Sequence, residues 1–150
     1  MRLVIQRVKC AKCEIDGKVT GEIGQGFMIL VGFGQDDNKE IVDKMVKKVL
    51  NLRVFEDENE KMNYNITKIN GSILSISQFT LYACCTEGNR PSFTDALNPL
   101  KATKLYDYFN LSLRQNGMNT QTGVFGADMQ ISLVNDGPVT IILDSKILFK

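Results

Sequence analysis

Two short runs contain the side chains best suited to chemistry. Ser77-Gln78-Phe79-Thr80 places two hydroxyls, a carboxamide and an aromatic ring at the end of the largely apolar segment 73–76. Asn135-Asp136-Gly137-Pro138-Val139-Thr140 joins two strand-like segments. The first run has the composition of a polar strand end. The second has the composition of an ordinary hairpin connection, since glycine and proline are common turn residues. Because a strong strand pattern begins directly after Pro138, the Gly137-Pro138 bond could instead be cis and form a rigid polar wall.

The sequence contains no histidine, which excludes several common mechanisms. Imidazole is the most frequent general base, the commonest metal ligand and the base of Ser-His and Cys-His pairs. Any catalysis must therefore proceed without it. Thr80 could in principle act as a nucleophile, but no adjacent residue is suited to deprotonate its hydroxyl. We favour a role for Thr80 in positioning the substrate.

Four cysteines raise the question of a zinc site or a redox pair. They occur as Cys10-x-x-Cys13 and as the neighbours Cys84-Cys85. Both pairs lie in strand-like segments, where adjacent residues and residues three apart point to opposite faces. A redox pair of this spacing also gains its low thiol pKa at a helix N-terminus, which is absent here. We expect free thiols and neither a metal nor a cofactor.

Length and composition favour one soluble globular domain spanning residues 1–150. The hydrophobic share is 43% and the charged share 23%, which are ordinary values. A net charge of +1 argues against a strongly basic polyanion binder, although a local basic patch could still hold a few phosphates. The apolar runs are too short to span a bilayer, and the first residues alternate like a strand. We expect a cytoplasmic protein that does not contact membranes.

Periodicity predicts two helices and, from eight strand-like segments, about seven strands. Strand patterns cover residues 2–15, 18–23, 27–31, 51–55, 73–76, 120–125, 129–135 and 139–144, and residues 81–83 continue as extended chain. One helix follows the capping residues 36–38, and the other begins at Asn98-Pro99 and ends near Gly117. The order predicts an α+β fold: a curved antiparallel or mixed β-sheet or barrel covered by two helices. Its free edges are candidates for a homodimer interface.

Five segments together carry a family resemblance. In chain order they are Gln6-Arg7-Val8, then Ser-Gln-Phe-Thr-Leu-Tyr-Ala at 77–83, Gly-Asn-Arg-Pro-Ser-Phe at 88–93, Thr-Gly-Val-Phe-Gly-Ala-Asp-Met at 122–129 and Asn-Asp-Gly-Pro-Val-Thr at 135–140. The chain resembles D-aminoacyl-tRNA deacylase, formerly called D-tyrosyl-tRNA deacylase, from its first residue to about residue 145. Glu87 stands beside Gly88 where many members carry a basic residue.

The resemblance implies a homodimeric, barrel-like enzyme without a cofactor. It would hydrolyse the ester that joins a D-amino acid to the terminal adenosine of tRNA. Gly137-Pro138, cis in this family, would reach across the dimer interface into the partner's pocket and exclude L-amino acids. The remaining implied site residues are Ser77, Gln78, Phe79 and Thr80 as the pocket lining, Arg7 as the support of the dipeptide, and Phe125 and Met129 beside the pocket.

Physical chemistry is compatible with this implied reaction. An aminoacyl ester is already activated, so an enzyme need only place a water and stabilise an oxyanion with backbone N–H groups near Phe79 and Thr80. The resemblance implies that the 2′-hydroxyl of the substrate adenosine assists. Exclusion by a rigid wall predicts a broad range of D-amino acids and also hydrolysis of glycyl-tRNA. The competing hypothesis is a module that binds an RNA end or a protein without catalysis.

Overall fold

Eight strands, two long helices and two short helical segments make up the computed structural model, which describes residues 1–150. The strands are β1 (Arg2–Ile15), β2 (Lys18–Ile23), β3 (Gly26–Gly32), β4 (Phe55–Glu56), β5 (Met62–Tyr64), β6 (Ser72–Ser77), β7 (Thr120–Thr122) and β8 (Gln130–Asp144). The helices are α1 (Lys39–Asn51), α2 (Pro99–Gln115) and α3 (Ser145–Leu148), together with a 3₁₀ helix at Phe79–Tyr82. None of these helices combines the length and the apolar character needed to cross a membrane.

Local sequence signals account for the first turn and for both helix starts. Asp16 and Gly17 have φ angles of 50° and 75°, which suit the tight turn between β1 and β2. The side-chain oxygen of Asn38 accepts a hydrogen bond of 3.0 Å from the N–H of Ile41. Asn98 caps α2 in the same way, and Pro99 occupies the first helical position, where no N–H is needed. The predicted hairpin and both predicted helix starts are confirmed.

Strand β1 is the centre of the main sheet. Along one edge of β1, residues 2–8 pair with β3 and residues 11–15 pair with β2. Along the opposite edge, β8 pairs with β1 from residue 2 to residue 14. Strands β3, β6 and β7 continue the sheet as parallel neighbours. The sheet curls so that its edge strands β2 and β7 approach each other. Gly21 of β2 lies so close to β7 that a Cβ added to it would be 2.8 Å from the Thr122 carbonyl oxygen. The sheet is therefore mixed and nearly closed.

The two faces of the sheet bury separate cores. On one face, β3 packs against α1 and α2, and this core includes Phe27, Ile29, Val31, Val42, Met45, Leu105, Phe109 and Leu113. The other face encloses a smaller core of Val8, Ala11, Cys13, Ile23, Met28, Leu74 and Ile76. This arrangement confirms the predicted α+β fold of a curved mixed sheet covered by two helices.

Three predicted strand segments are wrong in part. Asn51 ends α1, and within 51–55 only Phe55 joins a strand, because the amphipathic periodicity of the helix continues to its last turn. Leu81 and Tyr82 lie in the 3₁₀ helix rather than in extended chain. Strand β7 stops at Thr122, since its pairing with β6 ends at Ser75.

The connection predicted between two final strands is also wrong. Both halves belong to β8 and pair antiparallel with β1, Asn135 opposite Val8 and Thr140 opposite Gln6. Residues 136–139 therefore face Arg7 alone and form a bulge, which we call the β8 bulge. A turn would have reversed the chain, whereas this bulge keeps its direction.

Cys10 and Cys13 diverge as predicted. Cys13 is buried in the smaller core, whereas Cys10 is exposed on the same strand. All four thiols are free, and no group of three or more His, Cys, Asp or Glu side chains is placed to hold a metal ion.

Candidate active site

A cavity opens where the parallel strands β3 and β6 end. Carboxyl ends of parallel strands meet at one edge of a sheet, which is the usual position of ligand sites in such folds. The cavity measures about 280 Å³ and is mainly apolar. Its lining residues are Val31, Phe33, Ile76, Ser77, Gln78, Phe79, Leu97, Ala102, Phe125, Gly126, Ala127, Asp128, Met129 and Ile131.

One wall is the run that follows β6. The N–H of Gln78 donates to the carbonyl of Val31 at 2.7 Å, which holds the chain against β3 for one further residue. The chain then turns into the 3₁₀ helix. The first N–H groups of a helix have no partner within it, and Gln78 gives them no side-chain cap. Its amide instead donates to the hydroxyl of Thr80.

The rim of this wall is aromatic. Phe79 remains 55% exposed, and its ring meets that of Phe93 edge-on, with centroids 5.0 Å apart. Phe93 follows a loop that is closed by two backbone hydrogen bonds between Cys84 and Ser92, of 2.8 and 2.9 Å. Within that loop, a hydrogen bond with Thr86 lowers the pKa of the Cys84 thiol. The loop carrying Glu87 and Arg90 is therefore tied to the cavity rim.

The opposite wall holds Phe125 and Met129. The ring of Phe125 lies beside that of Tyr106 on α2, with centroids 6.0 Å apart. The hydroxyl of Tyr106 donates to the carbonyl of Ser75 at 2.7 Å. Burial raises the pKa of Tyr106, so this hydroxyl stays protonated and remains a donor. Because Ser75 lies two residues before Ser77, Tyr106 connects the two walls.

Charge is scarce in the cavity. Asp128 is the one ionisable side chain among the lining residues, and it is exposed. The hydroxyl of Thr80 is bonded to the Gln78 amide, which is not a base. The geometry therefore provides an apolar enclosure beside the uncapped start of the 3₁₀ helix rather than a nucleophile with its base.

The β8 bulge forms a second cluster of predicted residues. Gly137 has a φ of 123°, its bond to Pro138 is cis, and both residues are exposed. Arg7 is only 6% exposed and donates to the carbonyls of Asp136 at 3.2 Å and Val54 at 2.6 Å. It also pairs with the Asp136 carboxylate at 3.4 Å.

Asn135 closes the base of the β8 bulge. Its side-chain amide donates to the carbonyls of Arg7 and Val139, both at 3.0 Å. The bulge is thus held at its base by one amide and along its side by one guanidinium.

The predicted site residues fall into two places. The structure brings Ser77, Gln78, Phe79, Phe125 and Met129 together around the cavity, with Thr80 next to them on the 3₁₀ helix. Arg7, Gly137 and Pro138 lie together at the β8 bulge and do not line the cavity of the same chain. The other nine lining residues were not predicted as site residues, and the apolar ones have the ordinary pattern of core residues: Val31, Phe33, Ile76, Leu97, Ala102, Gly126, Ala127, Asp128 and Ile131.

Fold and site together define a barrel-like α+β protein with a ligand cavity at the ends of two parallel strands. A family model described as D-Tyr-tRNA(Tyr) deacylase matches residues 4–144. A D-aminoacyl-tRNA deacylase of Thermosipho africanus (strain TCF52B) is 52% identical over 149 residues, which are 99% of this chain and 100% of that protein. The chain therefore belongs to the D-aminoacyl-tRNA deacylase family.

Two solved structures have the same fold. A structure titled c-Myc DNA Unwinding Element Binding Protein is 39% identical, with a TM-score of 0.90 over 96% of this chain and 98% of that one. A probable eukaryotic D-amino acid tRNA deacylase matches with a TM-score of 0.82 over 95% and 97% of the two chains. At 17% identity, the second similarity concerns the fold alone.

Proposed function

We propose that this protein hydrolyses the ester bond of D-aminoacyl-tRNA and releases the free D-amino acid and tRNA. Family membership over residues 4–144 supports the reaction. The observation that supports a location for this reaction is the cavity at Ser77, Gln78 and Phe79, whose walls are otherwise mainly apolar. We take residues 1–150 as one deacylase domain that acts in the cytoplasm without a cofactor.

In this proposal the cavity receives the aminoacyl-adenosine end of the tRNA. The backbone N–H groups near Phe79 and Thr80, at the start of the 3₁₀ helix, stabilise the oxyanion that forms when water attacks the ester carbonyl. Proximity and orientation supply much of the remaining rate enhancement, because the ester is already activated. Thr80 positions the substrate, and the 2′-hydroxyl of the adenosine assists. The apolar walls exclude bulk water and strengthen these polar contacts.

Chiral selection is assigned to the β8 bulge of a second copy. Gly137 and Pro138 are exposed and lie away from the cavity of their own chain, so they can contribute to a cavity only across an interface. Strand β8 has a free edge and carries the exposed residues Val134 and Ile142. A rigid backbone wall rejects an L-side chain whatever its size, whereas an apolar pocket separates similar side chains by only about 1–3 kcal/mol. Glycyl-tRNA, which has no side chain to reject, is a secondary substrate.

The reaction is tested by comparing D- and L-tyrosyl-tRNA at a substoichiometric amount of protein. We expect many turnovers of the D-ester and little hydrolysis of the L-ester beyond the spontaneous rate. Equal rates for the two esters would refute chiral selection. The absence of turnover, with tRNA still bound, would favour the alternative of a binding module.

The composite site is tested by mixing two variants. Gly137→Ala alters the bulge and leaves the cavity intact, whereas Phe125→Ala alters the cavity and leaves the bulge intact. If each site uses two copies, excess Phe125→Ala protein places an intact bulge against every intact cavity, and the mixture should regain selectivity for the D-ester. If each chain forms its own site, the mixture should keep the D-to-L ratio of Gly137→Ala alone.

A second candidate function is non-catalytic nucleic-acid binding. The observation behind it is the name of the 39% identical structure, which refers to a DNA element. The net charge of +1 gives little general attraction for polyanions. Turnover separates the two candidates, since a binding module releases no amino acid.

A further inference from the structure

Gly123 lies directly behind the Met129 wall of the cavity. It follows β7, and its N–H donates to the Ser75 carbonyl at 3.4 Å. A Cβ added at this position would overlap the sulfur of Met129, and it would lie 3.2 Å from the sulfur of Cys13 and 3.3 Å from Cδ1 of Ile76. The Met129 thioether therefore occupies space that a side chain at residue 123 would need.

Packing, rather than backbone conformation, requires glycine here. Gly123 is not among the residues with positive φ, so its backbone would accept alanine. Cys13 and Ile76 are almost fully buried in the smaller core and have little freedom to move. Met129 is partly exposed, unbranched and flexible. A side chain at residue 123 would thus displace Met129, and the open space next to Met129 is the cavity.

We propose that Gly123 determines the shape of the cavity by keeping the Met129 side chain out of the space that receives the aminoacyl-adenosine end. This inference rests on the proposed function for the identity of the ligand. Gly123 touches neither the ester nor the β8 bulge in this account. Its effect should therefore appear in substrate binding and not in the chemical step.

The experiment compares Gly123→Ala in two backgrounds, the natural chain and Met129→Ala. In the natural chain we expect the KM for D-tyrosyl-tRNA to rise roughly tenfold or more, with kcat nearly unchanged. A non-hydrolysable amide of 3′-D-tyrosyl-adenosine should bind more weakly by a similar factor in calorimetry. In the Met129→Ala background the same substitution should change neither quantity more than about threefold, because the displaced sulfur is gone.

Gly24→Ala is the matched control. No atom lies within 4 Å of a Cβ added at Gly24, and its φ is not positive. This variant should bind and hydrolyse like the natural protein, and thermal unfolding monitors the fold of every variant. If Gly123→Ala does not fold in the natural chain, the inference requires that the double variant with Met129→Ala folds and binds the amide.

The inference about Gly123 would be overturned, and the proposed function kept, if Gly123→Ala left both KM and amide binding unchanged. The same conclusion would follow if the double variant did not fold, or if it bound and hydrolysed as poorly as Gly123→Ala. A natural protein that neither hydrolyses D-tyrosyl-tRNA nor binds the amide is a different outcome. That result would overturn the proposed function and, with it, the ligand assigned to the cavity.

Discussion

The cavity and the β8 bulge are shaped by opposite kinds of contact. Apolar side chains from several elements shape the cavity, and its one ionisable residue, Asp128, is exposed. Polar contacts shape the bulge, since Arg7 and Asn135 together make four hydrogen bonds to backbone carbonyls, two of which are those of the bulge residues Asp136 and Val139. Side-chain packing can adjust to ligands of different size, whereas a backbone held by directed hydrogen bonds keeps one shape.

This difference matches the two tasks in the proposed function. An enzyme that accepts many D-amino acids needs a tolerant enclosure, and the flexible Met129 in the cavity wall suits that need. Rejection of every L-amino acid needs a wall that does not move. Variants of the bulge should therefore change the preference for D- over L-esters and the stability of the fold, whereas variants of the cavity should change substrate binding.

Arg7→Ala should have the largest effect. It removes a buried cation and leaves the Val54 carbonyl and Asp136 without their partner. We expect the free energy of unfolding to fall by about 3 kcal/mol and the preference for D- over L-esters to fall steeply. Urea denaturation and paired deacylation assays measure both effects. The control Arg114→Ala removes another guanidinium that bonds a carbonyl, that of Thr120, and should leave the D-to-L ratio unchanged.

Gly137→Ala should have the next largest effect. Its φ of 123° is unfavourable for alanine, and the new Cβ would lie 3.0 Å from a guanidinium nitrogen of Arg7. A cost of about 1–3 kcal/mol in stability is expected, together with faster hydrolysis of the L-ester. Gly17→Ala, at a φ of 75° in the first hairpin turn, is the control for backbone strain alone. An unchanged D-to-L ratio in Gly137→Ala would remove the bulge from the selection mechanism.

Tyr106→Phe tests the link between the two cavity walls. Loss of the hydrogen bond to the Ser75 carbonyl should cost about 1 kcal/mol of stability and raise KM more than it lowers kcat. Tyr108→Phe on the same helix removes an exposed hydroxyl that bonds Asp43 and serves as the control. If both variants have the KM of the natural protein, Tyr106 is a purely structural residue.

Thr80→Ala should have the smallest effect. The hydroxyl is exposed and bonded to Gln78, with no base beside it, so deacylation should stay within about tenfold of the natural rate. A loss of roughly 10⁴-fold or more, with fold and tRNA binding intact, would instead identify Thr80 as the nucleophile. Single-turnover measurements separate this chemical effect from binding.

Features set by neighbouring residues could be predicted from the sequence. The turn at Asp16-Gly17 and the caps at Asn38 and Asn98 depend on contacts within a few residues, and all three are present. The polar run at 77–80 stood out because its residue types suit neither a core nor a turn.

Features set by distant partners could not be predicted. Phe79–Tyr82 turns into a 3₁₀ helix after Gln78 bonds Val31, which lies far away in the chain. The β8 bulge exists because both flanking segments pair with β1. The residues Gly137-Pro138 do not reveal this pairing, because an ordinary hairpin turn has the same composition. Val31, Phe33 and Leu97 line the cavity only because packing is incomplete at one place, and an apolar pattern does not reveal where that is.

The closed base of the β8 bulge separates its tip from its strand. The Asn135 side chain bonds the carbonyl of Arg7 on β1 and that of Val139 at the far end of the bulge, so one amide fixes both ends of the bulge against β1. A substitution at residues 136–138 should therefore perturb the tip locally, because a side chain outside the tip holds the register of β8 on β1.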